Sequence, residues 1–390
     1  MPMLPPWAGA PPASARASIG QPCSDRITSL CAALGTGAAE QSSGAKLGET
    51  SRVKAKLLRS CGGFRVVVGN WSKVNEKAAQ NTITIKVGLE MANGEVLPVN
   101  WGGKESVTIE KGMYAISDIA PANGLAGETV WIRTYVSVAA EGLKWPLSLT
   151  LNKAEGEGVT AGNTDKSQGA SEVPPSEGTC YSPVLLLAVS PNELVPVVGL
   201  HGDSILAGNH GTPIDIGWAK IAFAPSGQAY VEMSKGGGFA ETAAKFNASE
   251  GRWQMVDFAN YALEAYGVND VNTGRTFAQI KADKETIWRR LIERGQKVFA
   301  TTVTPIATST DGFTTLKNQT PGVHDTTRQE VNAWLRTRPA QLEGLIDTAS
   351  AVESGISGKW IPLMTEEGIH PLQIGHEAMA RLLRPGQLFR

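Results

Sequence analysis

Apolar positions recur at every second residue through much of the first half of the chain. Ile83, Ile85, Val87 and Leu89 alternate with polar residues or glycine in "NTITIKVGLE", and Val130, Ile132, Thr134, Val136 and Val138 share one face of "TVWIRTYVSV". "FRVVVGN", "ESVTIEKG" and "LSLTLN" are three further short runs, separated from these by Gly, Asn and Pro turns. Alternation of this kind gives a strand one buried and one solvated face, so residues 59–152 are predicted to form a small all-β sandwich of antiparallel strands. Residues 1–58 are rich in Ala, Ser, Gly and Pro, lack sustained periodicity, and are expected to be a mostly disordered leader. Residues 153–179 have almost no large apolar side chains and are predicted to be a linker or an exposed loop.

Between 180 and 390 the texture changes. "LVPVVGL" (194–200), "NYALEAYGVND", "KVFATTVTP" and "LEGLID" carry strand-like runs. Between and after them lie helical patterns. Phe277, Ile280, Ile287, Leu291 and Ile292 recur at near-helical spacing, "TTRQEVNAWLRTR" predicts another helix, and "PLQIGHEAMARLL" a closing one with Pro371 in its first turn. Strands alternating with helices imply an α/β domain, a parallel sheet flanked by helices in three layers. Ligands of such sheets bind beyond the carboxyl ends of the strands. Ser204, Asn269 and the Thr304-Pro305 turn each follow a strand end, so all three are expected at that edge.

Composition adds bounds. The apolar share of 42% and charged share of 19% are those of an ordinary globular protein. A net charge of −1 without blocks of like charge gives no electrostatic reason to expect nucleic acid or an anionic membrane surface as partner. No run approaches the ~20 apolar residues of a membrane span. Prolines occupy the place of a signal peptide's apolar core in "MPMLPPWAGAPPASARASIG", so no signal peptide is expected; export by another route and the compartment stay open. The four cysteines, Cys23, Cys31, Cys61 and Cys180, match no zinc spacing. A Cys61–Cys180 bridge and unpaired thiols are the two alternatives, with unpaired thiols expected.

"VVGLHGDSILAGNH" presents Asp203 and Ser204 directly behind an apolar run and Gly202. Either side chain can cap the helix that follows, and Ser204 can also be a nucleophile. A serine hydroxyl needs a base, and the base an orienting group. Of the five histidines, His201 and His210 are loop or strand neighbours of Ser204, and His376 is read as a helix-surface residue; His324 lies in no such block. His370 stands in "EEGIHPLQIGHEAMA", fixed by the proline behind it, and is the candidate base. Oxyanion donors are offered by the glycines of "SKGGGFAETAAKF" and by the Asn269 amide in "YGVNDV". No Gly-X4-Gly-Lys-Ser/Thr or Gly-X-Gly-X-X-Gly pattern supports a nucleotide-binding enzyme, and neither a metal cluster nor a cofactor site is evident.

Taken in order, Gly-Asp-Ser, a glycine turn, Gly-X-Asn-Asp and Gly-X-His-Pro across 194–386 resemble the SGNH hydrolase (GDSL esterase/lipase) family. The resemblance implies a flavodoxin-like α/β fold with Ser204 as nucleophile and oxyanion donor. It makes Gly237, with Gly236 as the alternative, and Asn269 the other donors, His370 the base, and Asp203 and Asp270 supporting residues. The family places an aspartate three residues before the histidine; here that position holds Glu367, which becomes the candidate acid ahead of its neighbour Glu366 and of Asp347. "VNAWLRTRPAQLEGLIDTASAVES" resembles the corresponding segment of carbohydrate acetyl esterases, and "GMYAISDIA" the jelly-roll module that precedes some of them. The expected activity is therefore hydrolysis of small acyl esters, acetyl on a saccharide foremost. Thioesters, lipids and other non-carbohydrate esters are alternatives. So is a glycan-binding protein on a degenerate hydrolase scaffold, although such a site would be expected to lose Ser, Asn or His, and all three are present.

Overall fold

The computed structural model describes residues 21–23, 41–71, 80–147, 149–169, 171–189, 196–211, 216–247 and 251–388. They divide into two compact units. The first comprises the described residues up to 189 together with 247 and 251–258; the second comprises 196–246 and the residues from Ala259 onward.

The first unit holds two antiparallel sheets. One has the order Gln21–Pro22, Leu185–Ala188, Phe64–Gly69, Tyr114–Ile116. The other runs Gly158–Ala161, Gly48–Lys56, Thr129–Ser137, Ile83–Glu90, Val96–Val99, with Val107–Ile109 also paired to Ile83–Glu90. Phe64, Val66, Val68 and Leu186 from the first sheet share one core with Ala55, Ile85, Leu89, Val130, Ile132 and Val136 from the second. The alternating residues of the two predicted strands are the inward-facing ones, as a half-buried strand requires.

Three boundary expectations are corrected. Gly48–Lys56, within the expected leader, is a nine-residue strand between two others; residues 1–20 and 24–40 of that leader lie outside the described residues. Gly158–Ala161, inside the expected linker, is a strand paired with Gly48–Lys56. The expected start of the second domain at 180 is also too early, because Leu185–Ala188 pairs with Phe64–Gly69 in the first unit. The segment 251–258 joins the first unit too: Gln254 Nε2 donates to the Gly112 carbonyl at 2.7 Å, and Phe258 meets Tyr114 edge-on. Cys23, Cys61 and Cys180 are buried and unbridged; Cys31 lies outside the described residues.

The second unit is a five-stranded parallel sheet of β1 (Val197–Gly202), β2 (Ala229–Glu232), β3 (Tyr261–Ala265), β4 (Lys297–Thr301) and β5 (Gly344–Ile346). The spatial order is 2-1-3-4-5, all pairs parallel. The helices are α1 (Ser204–Ala207), α2 (Trp218–Phe223), α3 (Ala240–Ala244), α4 (Val268–Asn272), α5 (Phe277–Glu293), α6 (Asp325–Arg336), α7 (Thr348–Val352) and α8 (Gln373–Ala380). They pack in two groups, α8 with α2 and α7, and α5 with α3 and α6. A short C-terminal turn of helix, Pro385–Leu388, follows. Among the described residues no helix is long and apolar enough to cross a membrane.

The order reverses between β1 and β3, so their carboxyl ends open a crevice between diverging connections. A buried ion pair fixes the β3 side of it. Glu264 and Lys284 are both fully buried, with Nζ 2.8 Å from Oε1. The same carboxylate accepts the Trp288 indole N–H at 2.9 Å and the Tyr266 N–H at 2.9 Å. A charge pair this deep offsets its desolvation only when the remaining hydrogen-bonding positions are filled, as they are here.

Candidate active site

Ser204 is delivered to the crevice by a sharp exit from β1. Asp203 caps the helix that begins there, its carboxylate accepting the Ile205 N–H at 3.0 Å, and Ser204 is the first helical residue. Gly202 cannot be larger, since a Cβ would lie 2.9 Å from the Leu206 side chain. Asp203 is 1% exposed, and burial pushes its carboxyl up to about 7 against the N–H bond from Ile205 and the nearby charges of His370 and Lys284. Its carboxylate bonds the backbone of its own turn, which it braces.

His370 reaches this point from the other end of the chain. Ser204 Oγ donates to His370 Nε2 at 2.7 Å, and His370 Nδ1 donates to Glu367 Oε1 at 3.0 Å. With Nδ1 protonated, Nε2 carries the lone pair that faces the hydroxyl. Burial, the largest influence on Glu367, raises its carboxyl. The hydrogen bonds from the His370 ring, the His370 N–H and the Ile369 N–H outweigh this and hold it below the ordinary range.

The loop carrying this pair is tightly held. Gly368 has φ +88°, a left-handed backbone, and a Cβ there would fall 1.9 Å from the Ala307 carbonyl oxygen, so only glycine fits. Its carbonyl accepts from the Ala307 N–H and the Trp360 indole, and Thr365 Oγ1 bonds both the Gly368 N–H and the His370 carbonyl.

The donors expected for an oxyanion converge from β2 and β3. Lys235–Gly238 forms a turn closed by the Gly238 N–H on the Lys235 carbonyl at 3.0 Å, while the Lys235 N–H binds the Gly202 carbonyl at 3.0 Å. Gly238 therefore spends its N–H inside the turn, which leaves Gly236 and the exposed Gly237 (φ +67°) as the candidates in that row. Asn269, in the first turn of α4, donates one amide hydrogen to the Gly238 carbonyl at 2.9 Å. Asp270, fully buried, accepts the Ala240 N–H at 2.9 Å and the Glu241 N–H at 3.3 Å. Two successive side chains thus tie the Asn-Asp block to the glycine turn and to the start of the α3 helix behind it.

Other candidates fall elsewhere. Asp347 accepts from Thr302 Oγ1 at 2.8 Å and pairs with Arg336 at 2.9 Å. His201 is a fully buried residue of β1, and His324 stands at the start of α6. His376 corrects the surface reading: it is fully buried, its Nε2 donates to the Asn209 carbonyl at 2.9 Å, and burial pulls its ring down to about 4. His210, to which the sequence gives no role, and Glu366, the weaker candidate for the acid, stand beside the site. The His210 ring stacks on that of His370, centroids 5.2 Å apart and planes 9° from parallel, and its Nδ1 donates to Glu366 Oε1 at 3.0 Å. Among the described residues no group of three His, Cys, Asp or Glu side chains has the arrangement of a metal site.

No family model and no curated protein matches the chain. Among solved structures it is similar to a GDSL-like lipase from Bacteroides thetaiotaomicron, at 14% identity and a TM-score of 0.38, over 49% of this chain and 86% of that one. It is similar to Est24, a carbohydrate acetylesterase from Sinorhizobium meliloti, at 12% identity and a TM-score of 0.36, over 49% and 98% of the two chains. The protein YxiM from Bacillus subtilis matches over 84% of this chain and 77% of that one, at 15% identity and a TM-score of 0.38. GDSL-type lipases and acylhydrolases are thus structural neighbours of this chain. Likeness at this level bears on neither activity nor substrate.

Proposed function

We propose that the protein is a serine ester hydrolase in which Ser204, His370 and Glu367 form the reacting triad. The observation that carries this reading is the unbroken relay from Ser204 Oγ to His370 Nε2 at 2.7 Å and from His370 Nδ1 to Glu367 at 3.0 Å, at the point where the strand order reverses. The hydroxyl attacks an ester carbonyl as His370 takes its proton; Glu367 keeps the ring in the productive tautomer and stabilises the imidazolium. The N–H groups of Ser204 and Gly237 and the Asn269 amide receive the developing oxyanion. His370 then protonates the departing alcohol. Water, deprotonated by the same nitrogen, releases the acyl group from Ser204 as the carboxylic acid and restores the serine. Asp203, Asp270 and the Gly236 position support the two turns that carry these groups.

Small acyl esters, acetyl on a saccharide foremost, are the substrate class we favour, resting on the resemblance of residues 331–354 to carbohydrate acetyl esterases. The two antiparallel sheets of the first unit are read as a jelly-roll-like companion module.

The test is Ser204→Ala on the full-length protein, assayed with nitrophenyl acetate, butyrate and long-chain esters and with acetylated oligosaccharides. Loss of a triad member typically costs ~10⁴-fold or more in kcat. A folded variant that keeps more than about a hundredth of the wild-type rate means another group is the nucleophile.

A further inference from the structure

The residues that bring His210 to the site are those that follow the nucleophile helix. Gly208 and Asn209 return their N–H groups to the Ser204 carbonyl at 3.1 and 2.9 Å, and Gly211 closes a turn on Gly208 at 3.0 Å. The carbonyl of Asn209 is gripped by the buried His376 at 2.9 Å. Between these anchors His210 adopts φ +61°, a left-handed conformation uncommon for a residue with a side chain. The outcome is a ring laid flat on His370. From one loop, Glu367 holds the ring of His370 and the adjacent Glu366 holds the ring of His210. Two imidazole–carboxylate pairs therefore lie side by side, one facing Ser204 and the other half-open to water, with His210 31% and Glu366 61% exposed.

We infer that His210, held by Glu366, is a positioning residue for His370, fixing the plane in which Nε2 meets Ser204 and setting the charge beside the ring that takes up the proton. Neutral His210 offers a π face to the imidazolium formed during attack. Protonated, it sets a second positive charge at stacking distance, which Glu366 only partly offsets. The other titratable groups that bear on the stack are Glu367 on the same loop, His376 on α8 and Asp203 at the head of α1, the last two held mainly in their neutral forms by burial. Lys220 of α2 bears on His376 rather than on the stack, and is itself paired with the buried Glu232 at 2.6 Å. The kinetic consequence rests on the esterase reading; the coupling between the two rings does not.

The experiment compares His210→Ala, His210→Phe and Glu366→Gln in the full chain, by kcat and KM on nitrophenyl acetate against pH and by NMR titration of the histidine ring signals. His210→Ala is expected to lower kcat roughly tenfold with KM within about twofold, because an unsupported base spends less time aligned. His210→Phe, which keeps a flat ring, should recover to within about threefold on the alkaline side. Its acid limb should move to higher pH by about half a pH unit or more, because the side chain beside His370 can no longer carry a positive charge while Glu366 stays; Glu366→Gln should move it the opposite way. The His370 ring signals should show the same displacements. If His210→Ala and His210→Phe have the same kcat and neither moves the acid limb or those signals, His210 is not a positioning residue. Should His210→Ala fail to fold, the two other variants decide by the sign of their shifts. Hydrolysis surviving in Ser204→Ala overturns the esterase reading alone, and the NMR titration then decides the coupling.

Discussion

Asn269 holds the glycine turn by its own side chain, Nδ2 donating to the Gly238 carbonyl at 2.9 Å. An amide has two hydrogens, so this bond aims the group while leaving the second hydrogen for a ligand. In the proposed site, that division would let one residue both position the turn and donate to the oxyanion. Asn269→Ala is expected to lower kcat by ~10²–10³-fold, the usual cost of one oxyanion donor, with KM changed far less. Asn269→Asp keeps the size but cannot donate, and repels the Gly238 carbonyl; it should be no better than alanine. Steady-state kinetics on one small ester decide this. An Asn269→Ala enzyme within about threefold of wild type removes the amide from the oxyanion site.

The parts of the candidate site legible in the sequence are those written in short blocks. Ser204 follows Asp203, which caps its helix; Glu367 lies three residues before the ring it holds; Asn269 and Asp270 are adjacent, one holding the glycine turn and the other the first residue of the helix after it. What the sequence hides depends on distant partners. His210 meets Glu366 across 156 positions, and a loop histidine followed by glycine carries no local mark of a stack. His376 reads as a surface residue because its burial is made tolerable by one carbonyl, that of Asn209. The strand Gly48–Lys56 is masked by polar residues that face inward already paired: Ser51 Oγ donates to the Tyr181 carbonyl at 2.7 Å, and Glu49 accepts the Tyr181 N–H at 2.7 Å. β2 is only four residues long, and its Glu232 is buried against Lys220 at 2.6 Å. Short apolar runs also say nothing about which sheet they join, so "LLLA" at 185–188 falls on the wrong side of a boundary drawn from composition.

Two buried groups tilt the stability of the molecule in opposite directions. Burial raises Asp203 to about 7 from an ordinary 3.8, so between those values the folded chain keeps a proton that the unfolded chain has lost. Its share of stability is complete below pH ~4 and declines as pH rises toward 7. Burial lowers His376 from 6.5 to about 4, so across that interval the unfolded chain holds the extra proton. Its share is complete above pH ~6.5 and is lost as pH falls toward 4. Each is worth a few kcal/mol at most, at about 1.4 kcal/mol for every pH unit between the folded and the ordinary value, and over the common interval they largely cancel. Asp203→Asn should therefore gain stability relative to wild type as pH rises from about 4 to 6.5, and His376→Gln should lose it. Denaturant unfolding of both variants beside wild type at each end of that interval gives the two differences. Differences that do not change with pH would show that neither group titrates as its burial requires.

Glu367 is the last member of the relay to be tested. Its Oε1 accepts from His370 Nδ1 at 3.0 Å and from the Ile369 N–H at 3.0 Å, and also from the His370 N–H. The carboxylate thus bends back over its own loop, which is how a side chain one methylene longer than aspartate still reaches the ring. Because these bonds hold the carboxyl below its ordinary range, it stays ionised well into the acid side. Its contribution is fully present above the ordinary glutamate range and is lost only as pH falls through the lowered value. Glu367→Gln keeps the shape but can turn an N–H toward the Nδ1–H, disfavouring the tautomer that leaves Nε2 free. Removing the carboxylate of a Ser-His-acid site in this way has cost as much as ~10⁴-fold. Here the pair is partly open to water, so a loss of roughly 10²-fold or more in kcat is expected. Glu366→Gln should displace the pH profile with a far smaller loss. Asp347→Asn, whose partners are Thr302 and Arg336, should leave kcat near wild type and cost a little stability. Measuring kcat against pH for the three side by side decides the assignment. Near-full activity in Glu367→Gln beside a large loss in either other variant would move the acid to that residue, and near-full activity in all three would reduce the site to a Ser204–His370 dyad.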